Sequence, residues 1–274
     1  MTRLSIPALA LLLAACAGTP TSSTAQQPTT PAADSALQAA VADPGRDAAQ
    51  RARDRYRHPA ETLAFFGLKP SDTVIEISPG SGWYSAILAP YLRERGRYIA
   101  ASATPAPGRS SALPALFAAD PARYGRASLH WYDGKAPSLG TPASADAVLT
   151  FRNVHNWVAA GTAEAYFQAF FAALKPGGTL GVVDHRAKPG TDLDTMKKSG
   201  YLTEALVIES ATRAGFVLDA RSEVNANPAD SADHPNGVWT LPPTNRHDAG
   251  DAEKYRAIGE SDRMTLRFRK PASE

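Results

Sequence analysis

The fold is decided by twelve consecutive residues, Val74-Ile75-Glu76-Ile77-Ser78-Pro79-Gly80-Ser81-Gly82-Trp83-Tyr84-Ser85. They begin with a short β-branched run of the kind that a parallel sheet buries on both faces. A turn of small residues follows, and apolar residues then recur at helical spacing as far as Tyr91. A glycine turn between a strand and a helix N-terminus lets a ligand approach the backbone, where free N–H groups and the helix dipole favour its polar groups. The stretch therefore predicts a cofactor site.

The N-terminus predicts a lipoprotein signal peptide over residues 1–16. A charged start precedes an apolar segment, residues 4–15, that is too short to span a bilayer. The motif Leu13-Ala14-Ala15-Cys16 resembles a bacterial lipobox, which implies that Cys16 is lipidated and becomes the mature N-terminus. Ala17 resembles the pattern of lipoproteins sent to the outer membrane. We therefore expect a periplasm-facing protein of the cell envelope that meets the membrane only through its lipid; the alternative is a secretory signal with an incidental cysteine.

The composition separates a linker from one large domain. Residues 17–45 are mostly Thr, Ser, Pro, Ala and Gln, which cannot bury a core and predict a disordered linker. Residues 46–270 supply enough apolar side chains for a single domain. The net charge is +2 with acids and bases interspersed, so nothing indicates nucleic-acid binding. Cys16 is the only cysteine, which excludes a disulfide within the chain.

Strand and helix patterns alternate along this domain. Six predicted strands lie at residues 74–77, 96–102, 128–133, 145–151, 179–184 and 216–224. Strands that alternate with helices give a doubly wound parallel sheet through right-handed crossovers. Residues 262–270 alternate apolar and polar, which predicts a half-buried antiparallel strand. We expect a solvated helix face in the arginine-rich segment 46–57, and a lid or a disordered loop in the connection 225–261.

Polar side chains follow the predicted strands at the edge where open α/β sheets place ligands. The run Arg152-Asn153-Val154-His155-Asn156-Trp157 follows the fourth strand, and Asp184 and His185 follow the fifth. Ser102 and Asp133 end the second and third strands. These residues and the glycine turn can therefore converge on one edge.

The turn residues Ser78, Gly80 and Gly82 are spaced two apart, with an acid at Glu76, and Lys175-Pro176-Gly177-Gly178 precedes the fifth strand. With these features the chain resembles class I S-adenosylmethionine (SAM)-dependent methyltransferases over nearly all of residues 46–270. The resemblance implies an α/β three-layer sandwich. Its sheet has seven mostly parallel strands in the order 3-2-1-4-5-7-6, with strand 7 antiparallel.

The resemblance also implies contacts to SAM. The residues at the family's positions are Glu76, Ser78, Gly80, Gly82, Ser102, Asp133 and Asn153. Ser78 replaces a usual glycine, and Ser102 replaces the acid that holds the ribose hydroxyls, so its hydroxyl can make only one of those hydrogen bonds. Asp133 would meet the adenine amino group, or it is simply a turn residue before Gly134.

Several short motifs resemble, more narrowly, a group of secreted bacterial predicted methyltransferases. They are His58-Pro59, Pro79-Gly80-Ser81-Gly82-Trp83-Tyr84, Arg152-Asn153-Val154-His155-Asn156, Val183-Asp184-His185, Asn227-Pro228-Ala229-Asp230 and Trp239-Thr240-Leu241-Pro242-Pro243. We therefore predict methyl transfer to a small-molecule acceptor. His155 is the predicted catalytic base, because an imidazole titrates near neutral pH, and His185 is the second candidate. Either histidine could instead only bond the loop backbone.

Three other functions compete with methyl transfer. SAM is a cytoplasmic metabolite, so an envelope location favours a catalytically inactive methyltransferase-like binding module. Metal-dependent hydrolysis would use His155, Asp184, His185 and either Asp230 or His234, but no tight ligand spacing supports it, and we predict no metal. NAD binding is disfavoured because the third fingerprint glycine and the acid of the second strand are absent.

Overall fold

The computed structural model describes residues 1–2 and 33–272 of the chain. The predicted signal peptide after residue 2, the lipidation site Cys16 and the predicted linker up to residue 32 lie outside the described residues. No helix within the described part is long and apolar enough to cross a membrane.

A single seven-stranded sheet organises the domain. Its order is β3-β2-β1-β4-β5-β7-β6. Neighbouring strands are parallel except for the pairs that β7 makes with β5 and β6, which are antiparallel. The strands are β1 (Thr73–Ile77), β2 (Arg97–Ala103), β3 (Ser128–Tyr132), β4 (Ala145–Phe151), β5 (Leu174–His185), β6 (Val217–Ser222) and β7 (Arg263–Arg269). The predicted strand order and the antiparallel seventh strand are confirmed.

Helices cover both faces of this sheet. They are α1 (Ser35–Ala42), α2 (Ala48–Arg51), α3 (Asp54–Arg57), α4 (Pro59–Phe65), α5 (Ser85–Leu92), α6 (Leu113–Ala119), α7 (Pro121–Tyr124), α8 (Val154–Ala160), α9 (Ala163–Ala173), α10 (Leu193–Ser199), α11 (Glu204–Arg213) and α12 (Ala252–Ile258). One core contains Ile75 with apolar residues of α8, α9 and α11, and the other contains Val74 with those of α1, α4 and α5. Because successive residues of β1 point to opposite faces, the strand is buried on both sides, as its sequence predicts.

The N-terminal part of the domain differs from the sequence prediction. Residues 35–42 were expected in the linker, but they form α1, with Asp34 as its N-cap and Leu37 buried in the core. The helix forms because Asp34 is a good N-cap and because Leu37 and Ala40, three residues apart, both reach the core, although the segment as a whole has few large apolar residues. The segment 46–57 was expected as one solvated helix, but it forms two short helices, and Arg57 is buried.

The connection between β6 and β7 is ordered rather than structureless. It contains two 3₁₀ turns, Gly237–Thr240 and Ala249–Asp251, and then α12. Asn227 fixes its start, because its amide donates to the carbonyl oxygens of Ile258 (2.9 Å) and Glu260 (2.7 Å). The connection therefore returns to the sheet at the edge where β5 ends, since His185 pairs with Arg263.

Candidate functional site

The turn after β1 opens into a cavity, which we call the turn cavity. Its volume is about 290 Å³. It is lined by Arg53, Arg57, Glu76, Ser78, Pro79, Gly80, Ser81, Trp83, Tyr84, Phe151, Arg152, Asn153 and Pro243. Gly80 has a positive φ of 63°, and a Cβ built on it would meet nothing within 4 Å, so the backbone here is open to a ligand. A Cβ on Gly82 would instead collide with Leu116, because α6 packs directly on the turn.

Glu76 is buried at the base of this cavity. Its Oε2 accepts hydrogen bonds from the Tyr98 hydroxyl (2.6 Å) and the Ser85 hydroxyl (3.3 Å). Burial raises the pKa of Glu76 to about 7, although both hydrogen bonds act in the opposite direction. At neutral pH the carboxyl is therefore divided between its protonated and ionised forms.

The other predicted cofactor residues separate into two groups. Asn153 and Ser78 line the turn cavity, and the Asn153 amide donates to the Ile77 carbonyl oxygen (3.0 Å), which ties the ends of β4 and β1 together. Ser102 and Asp133 do not line it. Asp133 is exposed, and its Oδ1 accepts from the backbone N–H of Lys135 (2.9 Å), as in a turn. The structure thus brings Glu76, Ser78 and Asn153 together at the turn cavity. Ser102 and Asp133, which were expected to contact the ribose and the adenine of SAM, lie outside it.

A second cavity, which we call the histidine cavity, adjoins the first. Its volume is about 170 Å³, and Arg152 and Pro243 line both cavities. The histidine cavity is lined by Arg152, His155, Asn156, His185, Val238, Trp239, Pro242, Pro243 and Thr244. Its wall on one side is therefore the ordered connection between β6 and β7.

His155 is held by a buried carboxylate. Its Nδ1 lies 2.8 Å from Asp184 Oδ1, and its backbone N–H donates to Asp184 Oδ2 (3.2 Å). Asp184 is fully buried, so this pair fixes the ring and favours the tautomer that carries the proton on Nδ1. The Nε2 atom has no hydrogen-bond partner among the described residues. The arrangement is that of an oriented general base beside a cavity.

His185 is the neighbour of this pair rather than a second equivalent base. The two imidazole centroids are 5.0 Å apart, and His185 Nδ1 lies 2.5 Å from Ser261 Oγ. Burial lowers the pKa of His185 well below its usual value, and the nearby His155 and Arg152 lower it further. His185 is therefore neutral at physiological pH.

Arginines form the opposite wall of the turn cavity. Arg53, Arg57 and Arg263 converge on Glu260, at N···O distances of 2.7, 3.1 and 3.2 Å. Burial alone would raise the pKa of Glu260, but the charges of Arg263, Arg57 and Arg53 lower it to about 2. Burial also lowers the pKa of Arg57 to about 9, and Glu260 partly offsets this effect. Arg57 and Glu260 therefore both remain charged at neutral pH.

Arg152 differs from these arginines because it has no carboxylate partner. No hydrogen bond or ion pair of its side chain is present in residues 33–272, and its Nε is buried without a partner. Its φ is 64°, in the left-handed region that disfavours residues with a Cβ. Sequence reasoning missed Arg53, Arg57 and Glu260 as site residues, and it named Arg152 only as part of the run after the fourth strand. The unusual density of arginine before His58 was the one available signal for two of them.

The residues that metal-dependent hydrolysis would use as ligands do not form one group. His155, Asp184 and His185 each offer a ligand atom within 4.8 Å of the others. Asp184, however, already accepts hydrogen bonds from His155 and from the His185 backbone. Asp230 and His234 pair with each other instead, with His234 Nε2 2.8 Å from Asp230 Oδ1. A dication would also meet the arginines that depress the pKa of His185, so the surroundings oppose a metal.

The sequence matches no family model and no curated protein. Its similarity is to solved structures. One is a SAM-dependent methyltransferase from Aquifex aeolicus, with a TM-score of 0.51 and 14% identity over 80% of this chain and 93% of that one. The chain has a class I methyltransferase fold. The cyclase SpnF is similar too, with a TM-score of 0.56 and 19% identity over 84% of each chain.

A further similar structure is geranyl diphosphate methyltransferase in complex with SAM. Its TM-score is 0.50, with 13% identity over 85% of this chain and 94% of that one. At such identities the likeness concerns the fold alone. Because one of the three similar proteins is named a cyclase, the chemistry of this chain must be argued from its own cavities.

Glu76 makes stability depend on pH. Its folded pKa lies above the ordinary value of 4.5, so its contribution to stability is full below that pH and is lost as the pH rises to about 7. We expect Glu76→Gln, measured by urea unfolding, to gain stability relative to the native protein by up to about 3 kcal/mol between about pH 5 and pH 8. Glu61→Gln, at an exposed position of α4, is the control. A difference that does not change with pH would contradict the assignment.

Proposed function

We propose that the protein is a SAM-dependent methyltransferase of small molecules, with His155 as its general base. The observation that carries the proposal is the oriented His155–Asp184 pair in a cavity that adjoins the open glycine turn. A methyltransferase needs a cofactor site and an acceptor site in contact, because the acceptor must be held close to the methyl group. Two cavities with a common wall at Arg152 and Pro243 meet that requirement.

The residues of the turn cavity fit the amino-acid end of SAM. Arg53 and Arg57 can donate to its carboxylate, ionised Glu76 can accept from its ammonium group, and the open backbone at Gly80 allows close approach. At the adenosine end Ser102 and Asp133 lie outside the cavity, so we expect weaker contacts there. Bound SAM supplies an electrophilic methyl group. His155 Nε2 would accept the proton of an O–H or N–H acceptor while Asp184 stabilises the imidazolium.

A second candidate function is a methyltransferase-like binding module for another small molecule. Three arginines line the turn cavity, whereas SAM itself carries a net positive charge. Ser78 and Ser102 also stand where the family's pattern has glycine and an acid. The two functions differ in whether SAM binds.

Calorimetric titration with SAM tests the proposal, with NAD and zinc as comparison ligands. We expect SAM to bind, and NAD and zinc not to bind. Gly80→Val should weaken SAM binding about tenfold or more, because a β-branched side chain both strains the left-handed backbone and enters the cavity. Gly177→Val is the matched control: Gly177 also has a positive φ, of 77°, and open space around it, but lines neither cavity. No heat with millimolar SAM would favour the binding module.

The role of His155 has its own test once SAM turnover is measured. We expect His155→Ala to lower kcat about a hundredfold to ten-thousandfold, the range for loss of a general base, with SAM affinity unchanged. Asp184→Asn should also lower kcat, because the ring loses its orientation. His130→Ala, on the edge strand β3, is the control. Unchanged turnover in His155→Ala would remove His155 from the mechanism.

We also propose that the protein is a lipoprotein anchored through Cys16 and facing the periplasm. The lipobox resemblance and the Thr-, Ser-, Pro- and Ala-rich composition of the following residues support this location. Cys16→Ser should move the protein from the membrane fraction to the soluble fraction of cells and abolish labelling with a radioactive fatty acid. Ser22→Ala, nearby in the chain, should change neither. Fatty-acid labelling that persists in Cys16→Ser would contradict the proposal.

A further inference from the structure

Arg152 stands where the two cavities meet. It follows β4 directly, and its backbone N–H donates to the Val183 carbonyl oxygen (2.7 Å) at the end of β5. The residue that makes this bond is in the left-handed conformation, with a φ of 64°. A left-handed backbone is strained for a residue with a Cβ and persists where the surroundings over-determine it, often at functional sites. The conformation gives the guanidinium access to both cavities.

The Arg152 guanidinium lacks the partners that the neighbouring arginines have. Arg263 binds Glu260 and donates to the carbonyl oxygens of Ser261 (3.2 Å) and Tyr56 (2.6 Å). Arg53 and Arg57 also bind Glu260. In the described part of the chain no acceptor lies within hydrogen-bond distance of the Arg152 side chain, and its Nε is buried. Arg152 is half-buried, and a buried Nε without an acceptor is unfavourable unless a ligand or water completes it.

The charges around Arg152 also favour an anion. The guanidiniums of Arg53, Arg57, Arg152 and Arg263 outnumber the carboxylates of Glu76, Asp184 and Glu260. Two of those carboxylates are already engaged, Glu260 by three arginines and Asp184 by His155. Glu76 is only partly ionised at neutral pH, for the reason given above. A concave surface with excess positive charge and little water concentrates anionic ligands.

We propose that Arg152 binds the anionic oxygen group, a carboxylate or a phosphate, of a small molecule in the histidine cavity. The inference rests on the proposed function in one respect: the small molecule is the methyl acceptor, and its reactive O–H or N–H faces His155. Both kinds of anion accept two parallel hydrogen bonds from the planar guanidinium fork. Trp239 lines the same cavity, 6.2 Å from His155 between ring centroids, and offers an aromatic wall to the rest of the molecule. The site therefore selects small anions over neutral analogues of the same shape.

Binding of simple probes to the purified protein tests this without a known acceptor. Benzoate and inorganic phosphate are the anionic probes, and benzamide is the neutral analogue of benzoate. Calorimetry measures affinity, and tryptophan fluorescence, to which Trp239 contributes, gives a second signal. We expect benzoate or phosphate to bind and benzamide to bind at least about tenfold more weakly, since it lacks the charge-assisted pair. Whichever of the two anions binds more tightly identifies the group.

Three variants identify the residue. Arg152→Gln should weaken binding of the preferred anion about tenfold to a hundredfold, and Arg152→Lys should weaken it less, because it keeps the charge and loses the fork. Arg213→Gln removes the same charge from the exposed face of α11, where Arg213 pairs with Glu209, and should have no effect. Equal losses in Arg152→Gln and Arg213→Gln would overturn the inference. If Arg152→Gln does not fold, equal binding of benzoate and benzamide by the native protein would overturn it.

A parallel SAM titration separates this inference from the proposed function. If SAM does not bind but anion binding depends on Arg152, the methyltransferase proposal is refuted and the anion site is supported. If SAM binds but anions bind equally to the native protein and to Arg152→Gln, only the anion site is refuted.

Discussion

The site depends on one buried carboxylate that holds three guanidiniums. Glu260 joins Arg53 and Arg57, from the start of the domain, to Arg263, the first residue of β7. Removing one partner of a buried ion pair costs about 3 to 5 kcal/mol, because a charge is left uncompensated. The contact also has a geometric effect: it fixes the N-terminal arginines against the end of the sheet and so builds one wall of the turn cavity. Glu260 supplies one negative charge to three guanidiniums, and Arg152 has no carboxylate partner among the described residues.

Much of the fold follows from local patterns. Three local patterns each predict one kind of structure: the buried run of β1, the glycine turn, and the aromatic residues of α9, which are Tyr166, Phe167, Phe170 and Phe171. The alternation of strands and helices then allows few topologies. The antiparallel seventh strand was predictable because its polar residues alternate with Met264, Leu266 and Phe268. Helix α1 was missed because the composition of a segment does not reveal two apolar side chains that meet a core formed elsewhere.

The position of the candidate site at the edge of the sheet was predictable from the sequence, but the arginines and the carboxylate that line it were not. Parallel strands bring their carboxyl ends to one edge, so the approach of His155 to Asp184 and His185 followed from their positions after β4 and β5. The burial of Arg57 depends on Glu260, 203 residues later in the chain, and no local pattern encodes such a contact. Asp133 illustrates the converse: it occupies the expected strand end, but its carboxylate accepts a hydrogen bond within its own turn.

The fold by itself does not specify the reaction, since a cyclase and methyltransferases have similar backbones. What distinguishes this chain is the combination at the edge of the sheet. An imidazole that Asp184 orients faces a small cavity, a neutral His185 lies beside it, and an arginine in a left-handed conformation separates this cavity from the glycine turn. A neutral neighbour matters because a second imidazolium would repel the proton that His155 must accept. Burial lowers the pKa of His185 most, and the charges of Arg152, Arg263 and Arg57 lower it further. The same positive charges would attract an anionic acceptor to the cavity.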